Sequence, residues 1–384
     1  MILVMVLLFS SVSLEADEEK RCKAVVGVVV SQFFPEWLDL HAMDLSAGGF
    51  KRLMDNGKLL TADYGYLFSQ TGTDHVTLTS GTNPSEHGII CHSWYDRVRM
   101  RYCDNVGDSL TPENINVLSL GAYMKMSNEF SRSYAVGMKS EEALMSAGSY
   151  ANNVMWFDND SGKIVSSPFY GADPAWLPDF NAKLDCDSIL KSGWVSLGKE
   201  KQLKNRFINK ISSKFSSDFY YDLLHLKNES DSYVVMNVTP FANDIITDLS
   251  CEIIRKERIG VDNEPDLLMV NLSSLDYMNR DFPLRSNEFR DMVMRMDRNI
   301  EKLFSVLDEK CGKGNYTLFF TVSEAREILP EDYAAYKLKA NYFSIYRAVA
   351  LLKSYLRLVY GDGNWISAYD SGQIYLNKEL IAEK

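Results

Sequence analysis

Short, almost uninterrupted apolar runs separated by helical patterns constrain the fold of this chain most strongly. Five runs rich in β-branched and aromatic residues end in polar or glycine-containing stretches: Ala24–Val30, Tyr134–Met138, Tyr233–Val238, Leu267–Leu272 and Thr317–Val322. Strands that are apolar on both sides are typical of a parallel sheet whose two faces are covered by helices. The sequence therefore predicts an α/β protein with a mostly parallel central sheet.

The clearest helical pattern lies between residues 286 and 309. Apolar side chains recur there every three or four residues, as on one buried helix face: Phe289, Val293, Met296, Ile300, Leu303 and Leu307. Residues 330–384 differ, because they are rich in Tyr, Leu and Lys and contain no apolar strand before Gln373–Leu376. We expect them to form a helical, variable subdomain beside an α/β core of residues 17–329.

The composition excludes several classes of protein. The chain has 384 residues, of which 46% are hydrophobic and 24% charged, and this balance excludes disorder, a coiled coil and a membrane bundle. The net charge of −11 argues against a nucleic-acid partner, because no excess of Lys and Arg can neutralise phosphates. No apolar run reaches the ~20 residues that a membrane-spanning helix needs.

The N-terminus and the cysteines bear on the compartment. Residues 1–9 form an apolar run, and a polar stretch follows Ala16, so residues 1–16 are predicted to be a secretory signal peptide. A buried first strand is the alternative. The prediction places the protein outside the cytoplasm, in the periplasm or the extracellular space. Cys91 and Cys103 are close enough in sequence to bridge there, with buried thiols as the alternative.

Polar residues directly follow the predicted strands. Ser31, Lys139 and Asp276 come after the first, second and fourth runs, and Ser323 and Glu324 come after the fifth. In sheets of this kind ligands bind beyond the carboxyl ends of the strands. We therefore expect these side chains to meet at one edge of the sheet.

The segment Thr71–Ile90, TGTDHVTLTSGTNPSEHGII, resembles the nucleophile segment of the alkaline phosphatase superfamily. Further segments keep the family order over nearly the whole chain: Gly48–Leu53, Trp94–Asp96, Trp156–Asp158, Thr239–Asp244 and Pro265–Tyr277. The sequence is most similar to the exported, zinc-dependent phosphomonoesterases of the phosphate-irrepressible type, with the nucleotide pyrophosphatase/phosphodiesterases as relatives. The resemblance implies a three-layer α/β/α sandwich with a smaller inserted subdomain.

The resemblance also implies a mechanism in which two zinc ions clamp the phosphoryl group and activate a threonine hydroxyl for attack on phosphorus. Thr71 matches the position of the nucleophile, and Lys139 matches a lysine that contacts the phosphate. Asp276 matches a carboxylate ligand of one zinc. Glu324 is a third candidate zinc ligand, beside Thr71 and Asp276.

Other positions of the family pattern carry residues that bind zinc poorly. Where the resemblance implies carboxylate or imidazole ligands, this sequence has Ser31, Arg280 and Ser323. Zinc prefers imidazole nitrogen, thiolate sulfur and carboxylate oxygen, whereas a guanidinium is always protonated. We expect Arg280 to form an ion pair with Asp276, four residues earlier, in place of a metal site.

The phosphate-binding positions are altered as well. His92 falls near the asparagine that binds phosphate in the family, and Glu141 stands at the position of a phosphate-binding arginine. A carboxylate there places negative charge where a phosphate dianion would lie. Lys139 could still attract an anion, or it could form a salt bridge with Glu141 or Glu142.

Three hypotheses about function follow. The first is an alkaline phosphatase-like protein, ancestrally a metal-dependent phosphate-ester hydrolase, that is now catalytically impaired or a pseudoenzyme with little or no zinc. The second is an active phosphomonoesterase or phosphodiesterase with an altered metal site formed by Thr71, Asp276 and Glu324. The third is a truncated, non-functional gene product or a structural or binding domain, since the family's C-terminal segment has no match before Lys384. Expected partners are a small phosphate ester or other anion, and an oligomer or protein that covers the truncated edge.

Overall fold

A computed structural model of the chain describes residues 22–383 except 68, 108, 198–218, 231, 283–285, 325–332, 334–336 and 371, and leaves out the side chains of residues 40, 230 and 279–281. The predicted signal peptide, residues 1–16, lies outside the described residues. The strands are β1 (Ala24–Ser31), β2 (Ser93–Asp96), β3 (Arg101–Asp104), β4 (Ser133–Gly137), β5 (Asn153–Asp158), β6 (Lys163–Ser166), β7 (Trp194–Val195), β8 (Tyr220–Tyr221), β9 (Asp266–Leu272), β10 (Tyr316–Ser323), β11 (Ile366–Asp370) and β12 (Gln373–Leu376).

The helices alternate with these strands along most of the chain. They are α1 (Glu36–Leu40), α2 (Phe50–Asn56), α3 (Thr71–Ser80), α4 (Pro84–His87), α5 (Leu120–Ser127), α6 (Ser140–Ala147), α7 (Leu177–Lys183), α8 (Cys186–Ser192), α9 (Leu223–Ser230), α10 (Pro240–Lys256), α11 (Ser274–Asp281), α12 (Asn287–Lys310), α13 (Ile345–Tyr360) and α14 (Lys378–Ala382). Short 3₁₀ helices cover Pro168–Tyr170 and Tyr233–Val238.

A six-stranded sheet in the order β10-β1-β9-β4-β5-β6 forms the centre of the molecule. Five of its strands are parallel, and β6 pairs with β5 in the antiparallel direction. Ala24 of β1 lies opposite Tyr316 of β10 and Asp266 of β9, so the three strands start level and end together. The predicted mostly parallel sheet is confirmed.

The strands are apolar on both sides because two helical layers cover the two faces. Successive residues of β1 point to opposite faces: Val28 packs in a cluster with Ile246 of α10 and Ile300 of α12. Its neighbour Val29 packs in the other cluster, with Val76 of α3. Burial of both sets removes a large apolar area from water. The structure is therefore the three-layer α/β/α sandwich that the sequence predicted.

The long amphipathic helix is also confirmed, with bounds of Asn287–Lys310 for α12. The side chain of Ser286 caps its first turn by accepting a hydrogen bond from the backbone N–H of Phe289 at 3.3 Å. Beyond β10, helix α13 and the hairpin of β11 and β12 follow. The predicted strand Gln373–Leu376 is β12 of that hairpin.

One predicted strand is wrong. Tyr233–Val238 forms a 3₁₀ helix rather than a strand. The side chain of Ser232 accepts from the N–H of Val234 at 3.4 Å, and Thr239 closes the far end through two bonds to the carbonyl oxygen of Met236. These local bonds compete with strand pairing, and Pro240 then starts α10 directly.

Candidate functional site

The carboxyl ends of β1 and β10 bring Ser31 and Ser323 together, as the sequence predicted. The two residues lie opposite each other in the parallel register, and their hydroxyl oxygens are 3.3 Å apart. Both side chains are buried. The two positions therefore form a neutral hydroxyl pair.

Thr71 is the first residue of α3, and its hydroxyl donates a hydrogen bond to Oε2 of Glu324 at 3.0 Å. Glu324 directly follows β10 and has a φ of 58°, a left-handed conformation that costs energy for a residue with a side chain. Its backbone N–H donates to Oδ2 of Asp74 at 2.7 Å, which fixes the turn. Burial, and then the charge of Asp276, raises the pKa of Glu324 to about 7.

Asp74 and His75 are buried residues of α3 whose side chains form contacts at the start of the helix. Asp74 is fully buried and also accepts hydrogen bonds from the hydroxyls of Tyr66, at 2.8 Å, and Ser69. Nδ1 of the buried His75 lies 2.5 Å from the carbonyl oxygen of Thr71, and burial lowers the pKa of this imidazole. The imidazole thus supports the backbone at Thr71.

Lys139 and Asp276, which follow β4 and β9, form an ion pair. Nζ of Lys139 is 2.5 Å from Oδ2 of Asp276 and 3.4 Å from Oε1 of Glu142. Burial alone would lower the pKa of Lys139, but Glu142 and Asp276 outweigh burial and raise it. Burial raises the pKa of Glu142 to about 7, against the opposing effect of Lys139. Asp276 therefore pairs with Lys139, whereas the side chain of Arg280, its predicted partner, lies outside the described residues.

A second cluster lies beside the first turn of α3. Nδ1 of His92 donates to Oε2 of Glu141 at 3.1 Å, and Nδ2 of Asn105 donates to Oε1 at 2.5 Å. The backbone N–H of His92 also donates to the side chain of Gln70, which precedes Thr71. A Cβ atom on Gly72 would stand 2.1 Å from Nδ2 of Asn105 and 2.9 Å from Oε1 of Glu141, so only glycine leaves room for this carboxylate.

The side chains at the strand ends bear on whether a pair of zinc ions could bind here. Within the part of the chain that the structure describes, no group of three or more His, Cys, Asp and Glu is placed to hold a metal ion. Oδ2 of Asp276 faces an ammonium group, and the strand ends at Ser31 and Ser323 supply hydroxyls that do not offset a divalent charge.

Sequence reasoning located most of this edge, including Glu142 as a possible partner of Lys139, but missed Asn105. Glu142 is in the first turn of α6, three residues after Lys139, and that spacing is the signal for their ion pair. Asn105 has no sequence signal, because it reaches Glu141 from the loop after β3. Cys91 and Cys103 are both thiols, so the structure shows no bridge between them.

Comparisons with known proteins agree with this architecture. The sequence model of the family described as "Type I phosphodiesterase / nucleotide pyrophosphatase" matches residues 25–324. The chain is 28% identical to alkaline phosphatase PafA of Elizabethkingia meningoseptica, over 94% of this chain and 70% of the relative. It is 29% identical to alkaline phosphatase PhoV of Synechococcus elongatus, over 81% of this chain and 60% of the relative.

Another relative carries a different name. The chain is 28% identical to a protein named calcium-transporting ATPase of Myroides odoratus, over 97% of this chain and 72% of that protein. No helix among the described residues is long and apolar enough to cross a membrane.

The crystal structure of wild-type PafA superposes on this structure with a TM-score of 0.83 at 26% identity, over 94% of this chain and 74% of that one.

Proposed function

Because the chain belongs to the type I phosphodiesterase / nucleotide pyrophosphatase family, we propose that it is an alkaline phosphatase-like phosphoesterase whose hydrolytic site is impaired. The observation that carries this proposal is the contact between Lys139 and Asp276, whose charged atoms are 2.5 Å apart. The ammonium group engages one oxygen of that carboxylate, Oδ2. A metal ion bound to the same oxygen would lie close to the ammonium group, and the two cations would repel each other in a partly buried site.

The remaining ligand positions support the same conclusion. Ser31 and Ser323 supply hydroxyls that contact each other, and neither carries the negative charge that a two-zinc site needs. Among the predicted ligand positions, Glu324 supplies a carboxylate besides that of Asp276, and it accepts a hydrogen bond from the hydroxyl of Thr71. The described donors therefore do not form a site that would bind two metal ions tightly.

Without a metal ion, the hydroxyl of Thr71 is a weak nucleophile, because an alcohol holds its proton far above neutral pH. Thr71 remains the predicted nucleophile position and Lys139 the predicted phosphate contact. In this structure the ammonium group of Lys139 is engaged by Asp276 and Glu142, which leaves less of its charge for a phosphate.

One observation favours a second candidate function, an active phosphoesterase with an altered site. The hydroxyl of Thr71 donates to Glu324 at 3.0 Å, and a carboxylate with a pKa of about 7 is suited to accept a proton at neutral pH. Such a site would retain Thr71, Asp276 and Glu324 and would hydrolyse phosphate esters slowly.

The test is hydrolysis of p-nitrophenyl phosphate and bis-p-nitrophenyl phosphate by the purified chain with added zinc, beside Thr71→Ala. The proposal predicts equal, background rates for the two proteins. Hydrolysis that is lost in Thr71→Ala would contradict it and favour the second candidate. A Thr79→Ala variant, which changes the same residue type later in α3, controls for non-specific damage to the helix.

We also propose that the protein is exported and that it binds a small anion, if any ligand, at this edge. Removal of residues 1–16 in the mature protein, determined by N-terminal sequencing from the periplasm or medium of the producing cells, is the expected result for export. An intact N-terminus in the cytoplasmic fraction would contradict it.

A further inference from the structure

Residues 337–360, which comprise α13 and the eight residues before it, differ in charge from the rest of the chain. This stretch, called the basic segment below, has no Asp or Glu and five basic residues, all of them exposed: Lys337, Lys339, Arg347, Lys353 and Arg357. The whole chain has a net charge of −11, so the residues outside the basic segment carry −16. Positive charge is therefore concentrated in one part of an acidic protein.

Helix α13 is apolar on the side that faces the molecule and also on a side that faces solvent. The apolar residues that face the molecule are partly or fully buried: Ile345, Val349, Leu352 and Leu356. Leu351, Tyr355 and Leu358 are spaced by four and three residues, so they share a different face of the helix. Leu351 is 71% exposed and Leu358 is 85% exposed. A single exposed apolar side chain is ordinary, whereas a contiguous row of them indicates an interaction surface.

Basic and aromatic side chains lie beside this apolar row. Arg347 lies one helical turn before Leu351 on the same face. Lys353 and Arg357 lie on the other flank of the exposed side, together with Tyr346, which is 80% exposed. Exposed leucines combined with basic and tyrosine side chains are typical of a helix that lies in the plane of a bilayer surface.

Charge and symmetry favour a lipid surface over a second copy of this chain. A two-fold dimer through the basic segment would bring two sets of five basic residues together, and like charges repel. An anionic bilayer instead offers negative headgroups to the basic side chains and acyl chains to the leucines. The acidic remainder of the chain opposes this attraction only weakly, because charges beyond ~8 Å are largely screened at physiological ionic strength.

We infer that the basic segment is a docking surface for an anionic lipid bilayer, with α13 lying parallel to the plane of the headgroups. Leu351, Tyr355 and Leu358 enter the boundary between headgroups and acyl chains, and the basic side chains contact the negative headgroups. This mode of attachment needs no membrane-spanning helix. It is independent of the proposed loss of hydrolysis.

Co-sedimentation of the purified chain with phospholipid vesicles tests the inference. Vesicles of phosphatidylcholine with about 30% phosphatidylglycerol are anionic, and vesicles of phosphatidylcholine alone are uncharged overall. The chain should bind the anionic vesicles about tenfold or more tightly than the uncharged ones. The difference should shrink when the ionic strength is raised from ~0.1 M to ~0.5 M, because salt screens the attraction.

Charge reversal separates the basic segment from other positive charges. Lys353→Glu combined with Arg357→Glu should weaken binding to the anionic vesicles about tenfold or more. Lys58→Glu combined with Lys191→Glu is the matched control, because it makes the same change in charge at two exposed lysines outside the basic segment. The control should weaken binding by less than about threefold, since its charges do not lie at the docking surface.

An apolar double variant tests the contribution of the leucines. Leu351→Ser combined with Leu358→Ser should fold like the unchanged chain, because both side chains are exposed, and should lose most of the vesicle binding. Leu59→Ser combined with Leu60→Ser, at two exposed positions outside the basic segment, is its matched control. The apolar run of residues 1–9 is present in every protein, so its own affinity for lipid cancels in these comparisons.

Three results would each overturn the inference: no vesicle binding, equal binding to both kinds of vesicle, and binding that the basic-segment variants leave unchanged. Self-association without vesicle binding, abolished by Leu351→Ser with Leu358→Ser in analytical ultracentrifugation, would also overturn it and assign this face to a second copy of the chain. Hydrolysis that depends on Thr71 bears on the proposed function alone.

Discussion

The interior of the central sheet and its carboxyl-end edge are held together by different forces. In the interior, Val28 and Leu268 are fully buried in the apolar cluster on one face, and Val29 and Met269 are buried in the cluster on the other. At the edge, a few residues away along the same strands, charged and polar side chains pair with one another, among them Lys139 with Asp276. Stabilisation by apolar burial has no preferred direction and scales with the buried area. Stabilisation at the edge requires opposite charges at short distances.

This difference separates the residues that determine the fold from those on which the proposed loss of hydrolysis depends. The interior keeps the architecture of a crystal structure at 26% identity, with a TM-score of 0.83. At the edge, Lys139 pairs with Asp276, and His92 pairs with Glu141. The following substitutions test whether the two regions respond as differently as this comparison implies.

The largest effect is expected in the interior. Leu268→Ala should lower the free energy of unfolding by about 3 kcal/mol, because Leu268 is fully buried in β9 and its truncation leaves a cavity. Leu59→Ala, at a position that is 94% exposed, should change it by less than ~0.5 kcal/mol. Urea denaturation measures both, and similar losses would contradict the packing argument.

The next largest effect is expected at the edge. Lys139→Met leaves Asp276 and Glu142 without their cation and should cost about 2 kcal/mol, less than a fully buried pair because 27% of the lysine side chain is exposed. The double variant with Asp276→Asn should cost less than the sum of the two single changes. Strict additivity in urea denaturation would show that the pair is not coupled.

The pH dependence of stability should report on the edge rather than on the interior, because the titrating group, Glu324, lies at the edge. Folded Glu324 holds its proton to about pH 7, whereas the unfolded residue loses it near the ordinary pKa of 4.5. The folded state therefore binds more protons between these values, and this residue's contribution to stability falls as the pH rises from about 4.5 to 7. Glu324→Gln cannot ionise, so its stability relative to the unchanged chain should increase as the pH rises from about 4.5 to 7.

Thermal unfolding across this pH range measures the effect, and Thr71→Ala serves as a comparison that removes the hydroxyl partner but keeps the titrating group. A stability difference between Glu324→Gln and the unchanged chain that is independent of pH would contradict the assignment of a raised pKa to Glu324.

The smallest effect is expected on α13. Leu358 is 85% exposed there, so Leu358→Ser should change the unfolding free energy by less than ~0.5 kcal/mol. Val349 on the same helix is buried, and Val349→Ala should cost about 1 kcal/mol. A larger loss for Leu358→Ser in dilute protein would show that this face is covered in solution.

The sequence predicted the interior better than the edge for a physical reason. Apolar runs such as Leu267–Leu272 must be buried on both sides, and so they identify strands of a covered parallel sheet without any knowledge of their neighbours. The run Tyr233–Val238 is similarly apolar, but Ser232 and Thr239 form hydrogen bonds with its backbone locally and it forms a 3₁₀ helix.

At the edge, the sequence identified positions and offered Glu142 as a partner of Lys139, but it did not identify the other partners. Strand ends placed Ser31 beside Ser323 and brought Lys139 close to Asp276, as a parallel sheet requires. The pairing of His92 with Glu141 depends on a loop whose path no local pattern specifies. The roles of Thr71 as nucleophile and of Lys139 as phosphate contact stay predictions.

Zinc retention by the purified chain tests most directly the central claim, that Lys139 rather than a metal ion is the partner of Asp276. The chain and Asp276→Ala would be loaded with excess zinc, desalted, and analysed for bound metal. The account predicts that neither protein retains zinc at this site. About two zinc ions per unchanged chain, lost in Asp276→Ala, would contradict it and restore a metal-dependent phosphoesterase.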